Sequence, residues 1–287
     1  MHEPQNGSKM KRHTFLLLTV SALFMACSTP EQDVSETTAT EEMNNTPTFQ
    51  NTGHELVYNM VEKVGFYDDW KSKKDVVYTY TYTTPDSSTD QSTEQYIFEG
   101  ELSYGHYHQH QRTLPELEGP IVQGYDGEQY WLSNNDTMVT DEAALKPVAF
   151  SRPTNFYWFA MLPKLLDPGV TYEHLGAETH HGSNYDVVKV SFESPDGTPK
   201  DIYQLYINQE TQLMDQFLFT VADFGLMDTP LLMQVEYEEV DGLLIPTKRR
   251  YKMSTWEANV DDAPWTMVSW TDIVFGNDLS PSDFKAG

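Results

Sequence analysis

The sequence predicts a mainly β fold of the α+β kind: a strongly curved antiparallel sheet, or incomplete β-barrel, with a few helices covering or plugging one face. Three observations carry this expectation. Alternating segments rich in Tyr, Val, Thr and Phe recur between residues 75 and 275, and such side chains fit a pleated, half-buried surface. Short turn signals separate them, which favours antiparallel meanders over crossover connections. One stretch, residues 155–169 (NFYWFAMLPKLLDPG), is apolar on every side, so as a helix it must be buried on every side.

In chain order, Lys9, Lys11 and Arg12 precede a short apolar run, residues 14–26, that ends in Ala26-Cys27. A basic region, a short apolar run and a small residue before cysteine predict a lipoprotein signal peptide over 1–26. Cys27 is the only cysteine of the 287 residues, so no intrachain disulfide can form, and acylation accounts for a lone exported thiol. The formal charge is −26. Cleavage before Cys27 would remove three basic residues and only Glu3, leaving the chain more acidic still. Such a charge argues against a nucleic-acid partner and against electrostatic docking on anionic lipid. Membrane attachment is expected through the lipid on Cys27 instead. Residues 28–51 are polar and cannot bury a core. The lipidated Cys and this tether, 27–51, would reach about 80 Å when extended. The remainder, 52–287, suffices for a single half-barrel domain.

Within that domain, Leu56, Val57, Met60, Val61 and Val64 fall at helical spacing. Strands are expected at 75–84 and 95–102 around a polar turn at 86–93. A hairpin is expected at Tyr125-Asp126-Gly127-Glu128, where Asp-Gly suits a tight turn, leading into 129–132. Ser151 and Thr154 offer N-cap oxygens to the apolar helix. Pro163 is expected to divide it into two pieces, and Asp167-Pro168-Gly169 to stop it. Strands follow at 171–177, 185–193, 202–207, 213–221, 231–240, 246–254 and 266–275.

Chemistry-bearing motifs are few. His106, His108 and His110 would share one face of a strand, where two histidines can hold a zinc given a third ligand. The same pattern equally fits three polar residues on a wet edge, and no partner cluster stands out. His54-Glu55 begins like a zinc-protease helix, yet Tyr58 occupies the position of the second histidine. No nucleophile elbow, P-loop or dinucleotide fingerprint occurs, so no catalytic residue or cofactor is nominated and a non-enzymatic protein is expected. Aromatic residues make up 13% of the chain. They either pack an ordinary β core or line an apolar cavity. Candidate cavity residues are Phe156, Trp158, Phe159, Leu162, Leu165 and Phe217, with residues 224–227 and 231–233 at a rim.

Several blocks in order carry a family resemblance: Tyr125-Asp-Gly-x-x-Tyr-Trp131, Asn155-Phe-Tyr-Trp-Phe159 running into Leu166-Asp-Pro-Gly169, Tyr185-Asp-Val-Val-Lys-Val190, Leu205-Tyr-Ile207, and Tyr237-x-x-Val-Asp-Gly-Leu-Leu-Ile-Pro-Thr-Lys248. From about Leu56 to Phe284 the chain resembles the LolA/LolB-like superfamily of outer-membrane lipoprotein carriers, and more closely a group of Bacteroidota-type lipoproteins of unknown function. The resemblance implies an incomplete antiparallel barrel, helices plugging its open side, and an apolar cavity that takes acyl chains. It implies a lipid or lipoprotein ligand and anchoring in the cell envelope at the outer membrane, on its periplasmic face or at the surface. An envelope-protein partner, with the cavity filled by the chain's own helix, is the alternative.

Overall fold

The computed structural model describes residues 47–287, Phe66 excepted. The expected signal peptide, Cys27 and nearly all of the tether lie outside the described residues. Thirteen antiparallel strands form one sheet in the order β6-β5-β4-β3-β2-β1-β13-β12-β11-β10-β9-β8-β7. The first meander comprises β1 (Asp75–Thr83), β2 (Thr89–Ile97), β3 (Leu102–His110), β4 (Ile121–Tyr125), β5 (Tyr130–Asn134) and β6 (Thr137–Met138). The second comprises β7 (Val170–His180), β8 (Ser183–Phe192), β9 (Tyr203–Asn208), β10 (Met214–Val221), β11 (Leu226–Val240), β12 (Leu243–Met253) and β13 (Thr266–Phe275). Every sheet neighbour is also a sequence neighbour except at one seam, where β1 pairs with β13. That seam merges two meanders into one sheet and leaves β6 and β7 as the free edges. The barrel is therefore open, as the sequence predicts.

The helix α3 (Glu142–Lys164) is the connection from β6 to β7, so one element links the two free edges. It passes through three successive clusters on the inner face. Val148 packs with Tyr107, Ile121 and Leu132. Phe156, Phe159 and Ala160 pack with Tyr78, Tyr96 and Trp270. Met161, Leu162 and Leu165 pack with Val188, Leu205 and Phe217. Into that last cluster α1 (Thr52–Lys63) contributes Val57, Met60 and Val61, its start capped by Asn51, whose side chain accepts the His54 N–H at 3.1 Å. The short α2 (Tyr67–Ser72) buries Trp70 beside Phe159. A fourth cluster, of Tyr185, Val187, Tyr206, Leu218 and Leu232, lies on the other face beneath Trp256 and Trp265. Strand β9 is consequently buried on both sides.

Two stretches of the chain need correction. The central helix begins at Glu142, where the Asp141 side chain accepts the Ala143 N–H at 3.1 Å. Ser151 and Thr154 are therefore interior residues rather than caps. The Thr154 hydroxyl donates back to the Phe150 carbonyl at 2.7 Å, and Ser151 donates to Gln123 Oε1 at 2.8 Å. Pro147, Pro153 and Pro163 all lie within the helix. Pro163 does not divide it, because it falls in the last turn and the Leu165 N–H still closes on the Met161 carbonyl at 2.9 Å.

The expected polar turn at 86–93 is the second correction. The turn ends by Ser88, and β2 starts at Thr89. The expected strand at 95–102 is split by a 3-10 turn over Glu99–Glu101. Polar residues in β2 are not solvated, since Asp90, Ser92 and Glu94 are all buried. Ser92 bonds Glu94 within the strand. The partners of the two carboxylates come from later in the chain, Arg112 and Thr113 for Asp90 and Arg152 for Glu94, a compensation that alternation alone does not register.

Candidate functional site

The interface between α3 and the inner face of the sheet gathers the candidate cavity residues. Phe156, Phe159, Leu162, Leu165 and Phe217 are buried, and Trp158 is partly so. Phe159 stacks on Tyr78 with ring centroids 4.7 Å apart and lies 5.2 Å from Trp270. Trp158 meets Phe219 edge-on at 5.1 Å and Phe217 at 5.7 Å. The six do not surround one point. Phe156 and Phe159 belong to the cluster at the seam, whereas Leu162, Leu165 and Phe217 belong to the one under α1, and Trp158 touches both. Two surface recesses lie away from them. One, of about 230 Å³, sits between α1 and β9 at Leu56, Met60 and Ile207. The other, of about 320 Å³, sits at the Asp126–Gln129 turn beside Lys285.

Two buried arginines fix α3 to the sheet, and sequence reasoning missed both. Arg152 projects from α3 onto Glu94 of β2, with Nη1–Oε2 at 2.9 Å and Nη2–Oε1 at 3.3 Å. Arg152 also donates to the Tyr107 hydroxyl at 3.1 Å. Glu94 accepts further bonds from Ser92 (2.6 Å) and Tyr96 (2.9 Å). Burial alone would lower the Arg152 pKa, but the Glu94 carboxylate together with the Tyr107 and Tyr96 hydroxyls outweighs it and raises the value. Both terminal nitrogens of Arg152 are thus bonded and its charge is matched by Glu94, although Nε has no protein partner. A pair with its charge matched can tolerate a dry interior.

Arg249 differs. On β12, Leu243, Ile245, Thr247 and Arg249 are buried whereas Lys248 and Arg250 are exposed, and Arg249 is 4% exposed. Its guanidinium lies 4.0 Å from the Trp270 ring centroid and 5.7 Å from that of Trp158. Nη2 donates to the Trp158 carbonyl of α3 at 2.9 Å, and Nε to the Pro246 carbonyl at 3.1 Å. Among the described residues no carboxylate reaches it, and Nη1 and the neighbouring Trp270 Nε1 have no protein partner. Burial pushes the Arg249 guanidinium down to about 10, so it remains a cation at neutral pH. The readable signal was parity: an arginine in line with Leu243 and Ile245 is directed inward.

The histidine expectation is corrected by a register shift. His106 pairs with Thr93 and Tyr107 with Ser92, but Gln109 pairs with Gln91 and His110 with Asp90. His108 is thus the extra residue of a bulge, which reverses the parity beyond it. His106 and His108 stay adjacent, ring centroids 4.6 Å apart, and His108 Nε2 bonds the Thr93 hydroxyl at 2.8 Å. His110 instead meets the carbonyls of Thr113 (3.0 Å) and Gly119 (2.7 Å). Among the described residues no three His, Cys, Asp or Glu side chains assemble around a metal-sized position.

No protein-family model matches the chain, and no curated protein matches it. Solved structures do. The chain is similar in fold to a LolA superfamily protein from Nitrosomonas europaea, at 13% identity and TM-score 0.47, covering 82% of this chain and 98% of that one. A DUF1329 family protein from Desulfovibrio piger matches at 13% identity and TM-score 0.49, again over 82% and 98%. The lipoprotein LppX of Mycobacterium tuberculosis matches at 8% identity and TM-score 0.34, over 80% and 97%. These likenesses concern the fold alone.

Proposed function

We propose that this chain is a non-enzymatic, membrane-anchored cell-envelope lipoprotein that takes an apolar ligand, an acyl chain or a lipoprotein, into its half-barrel when α3 parts from the sheet. One observation carries the reading: a single helix links both free edges and fills the inner face with apolar side chains. Exchanging those side chains for an acyl chain trades one apolar contact for another, so the ligand recovers much of what displacement of the helix costs. The lipobox-like Ala26-Cys27 supports a signal peptide over 1–26, an anchored tether over 27–51 and a working domain over 52–287. The outer membrane, on its periplasmic face or at the cell surface, is the location that fits this reading.

A second reading is a scaffold for an envelope complex, with the cavity permanently plugged. The close stacking of Phe159 on Tyr78 and Trp270 favours it. Native mass spectrometry separates the two, using chain from residue 27 onward with Cys27→Ser, purified without detergent and then offered a fatty acid. Co-purified or added lipid in a one-to-one complex supports the binding reading. A mass that stays unliganded at saturating lipid overturns it and leaves the scaffold.

A further inference from the structure

We propose that Arg249 is the receptor for the anionic head of an amphiphile, a carboxylate or phosphate whose apolar tail takes the place of α3 side chains on the inner face. The inference deepens the proposed function and rests on it. Its starting point is the contrast between the two buried arginines. Arg152 has a carboxylate of its own, Glu94, whereas Arg249 has two carbonyl acceptors and an unpartnered Nη1. The chain holds 44 acidic residues, yet among the described ones none is placed to neutralise this cation. A buried charge without a counter-ion is costly. The bonds of Arg249 to the Trp158 and Pro246 carbonyls and its place over Trp270 tie α3 to β12, but they leave the charge without the counter-ion that a ligand's anionic head would supply.

The geometry suits an oxyanion. A guanidinium offers neighbouring N–H groups in a planar fork that matches a carboxylate or phosphate. In the closed arrangement one tine, Nη2, is held by the Trp158 carbonyl of α3, and the other, Nη1, is without a protein partner. Parting α3 from β12 releases Nη2, so the same movement that opens the apolar face presents the complete fork. Trp270, on β13 rather than α3, stays beside the guanidinium when α3 moves and excludes water on that side, which strengthens a charge-assisted bond. The Trp270 Nε1–H, also without a protein partner, lies in the same wall as a further donor. The acidic exterior does not oppose this strongly, since exposed charges are screened beyond about 8 Å at physiological ionic strength.

The test compares ligands that share a tail and differ in the head: palmitate, hexadecyl phosphate and hexadecanol, titrated into chain from residue 27 onward with Cys27→Ser. The proposal expects either anion to bind at least about tenfold more tightly than the alcohol, a factor that corresponds to one good interaction. The stronger of the two anions tells a carboxylate head from a phosphate one. Arg249→Met should remove the preference while hexadecanol binding persists, and Arg249→Lys, a point charge without a fork, should retain only part of it. Equal affinity for anions and alcohol in the unaltered chain overturns the proposal but leaves the apolar-ligand reading standing, and it needs no variant to be seen. A preference that survives Arg249→Met overturns it as well. If no ligand binds, both readings fall together.

Discussion

Arg152 and Glu94 face each other across the α3–sheet interface with both side chains entirely closed to solvent. Residues 58 positions apart are thereby locked together, and the tie holds the middle of α3 over the first meander. Removing one partner leaves the other as an uncompensated buried charge. Glu94→Gln or Arg152→Met should therefore cost about 3–5 kcal/mol, read as a lowered urea midpoint. Replacing both together by apolar residues of similar volume should recover most of that loss. An additive double variant would show that the pair is not coupled.

Gly105 makes this approach sterically feasible. It pairs with Glu94 across β2 and β3, and a Cβ there would lie 2.4 Å from Arg152 Nη1 and 2.8 Å from Glu94 Oε1. The constraint is space rather than backbone conformation. Gly105→Ala should destabilise the domain by about 1–3 kcal/mol through overpacking. Combined with Arg152→Met, which removes the clashing guanidinium, its further cost should shrink. Urea denaturation of the two single variants and the double variant provides the check, since contacting residues couple and distant ones add.

Asp75 ties the C-terminal segment to the seam strand. Its carboxylate accepts the Asn277 N–H at 2.7 Å, Asn277 Nδ2 at 3.0 Å and the Leu279 N–H at 3.0 Å. Burial alone would raise the carboxyl pKa, but these donors outweigh it and hold the value below the usual range. A depressed carboxylate contributes stability that is fully present above its unfolded pKa, about 3.9. That stability is lost as pH falls through the lower folded value. The segment that places Phe284 under Trp131 should thus loosen only in strong acid. Asp75→Asn should cost about 2 kcal/mol at pH 7 and flatten the dependence of the urea midpoint between pH 5 and pH 2, both set points of the measurement.

How much of this was legible in the sequence depended on how local the cause was. The strands of the second meander agree with expectation to within a few residues, because alternation and turn chemistry are local. Asp241 and Gly242, for example, both take positive φ in the β11–β12 turn. Strand β2 was misread because its inward polar residues are compensated by Arg152, Arg112 and Thr113, which come later in the chain. The first half of α3 was missed because Ser151 and Thr154 read as caps, whereas the helix runs on through Pro147 and Pro153 from a start at Glu142. The trio of histidines failed through a single bulge residue, His108, whose insertion no periodicity reveals. Arg249 could have been found by extending the alternation of Leu243 and Ile245 six and four residues further along the same strand.

Pro153 offers the most direct link between the mechanics of α3 and the proposed function. It is exposed, so its ring contributes little packing, and it deprives the Ala149 carbonyl of its intrahelical donor. Interior prolines weaken helices and favour kinks, and this one immediately follows the Arg152 anchor. If α3 must part from the sheet to admit ligand, a proline at this position lowers the cost of bending it. Pro153→Ala should then raise stability by about 1 kcal/mol or more, with part of the gain offset by a more flexible unfolded chain. It should also slow the uptake of a fluorescent fatty acid in stopped-flow mixing. Unchanged uptake in a stabilised variant would mean that α3 does not bend at this point during entry.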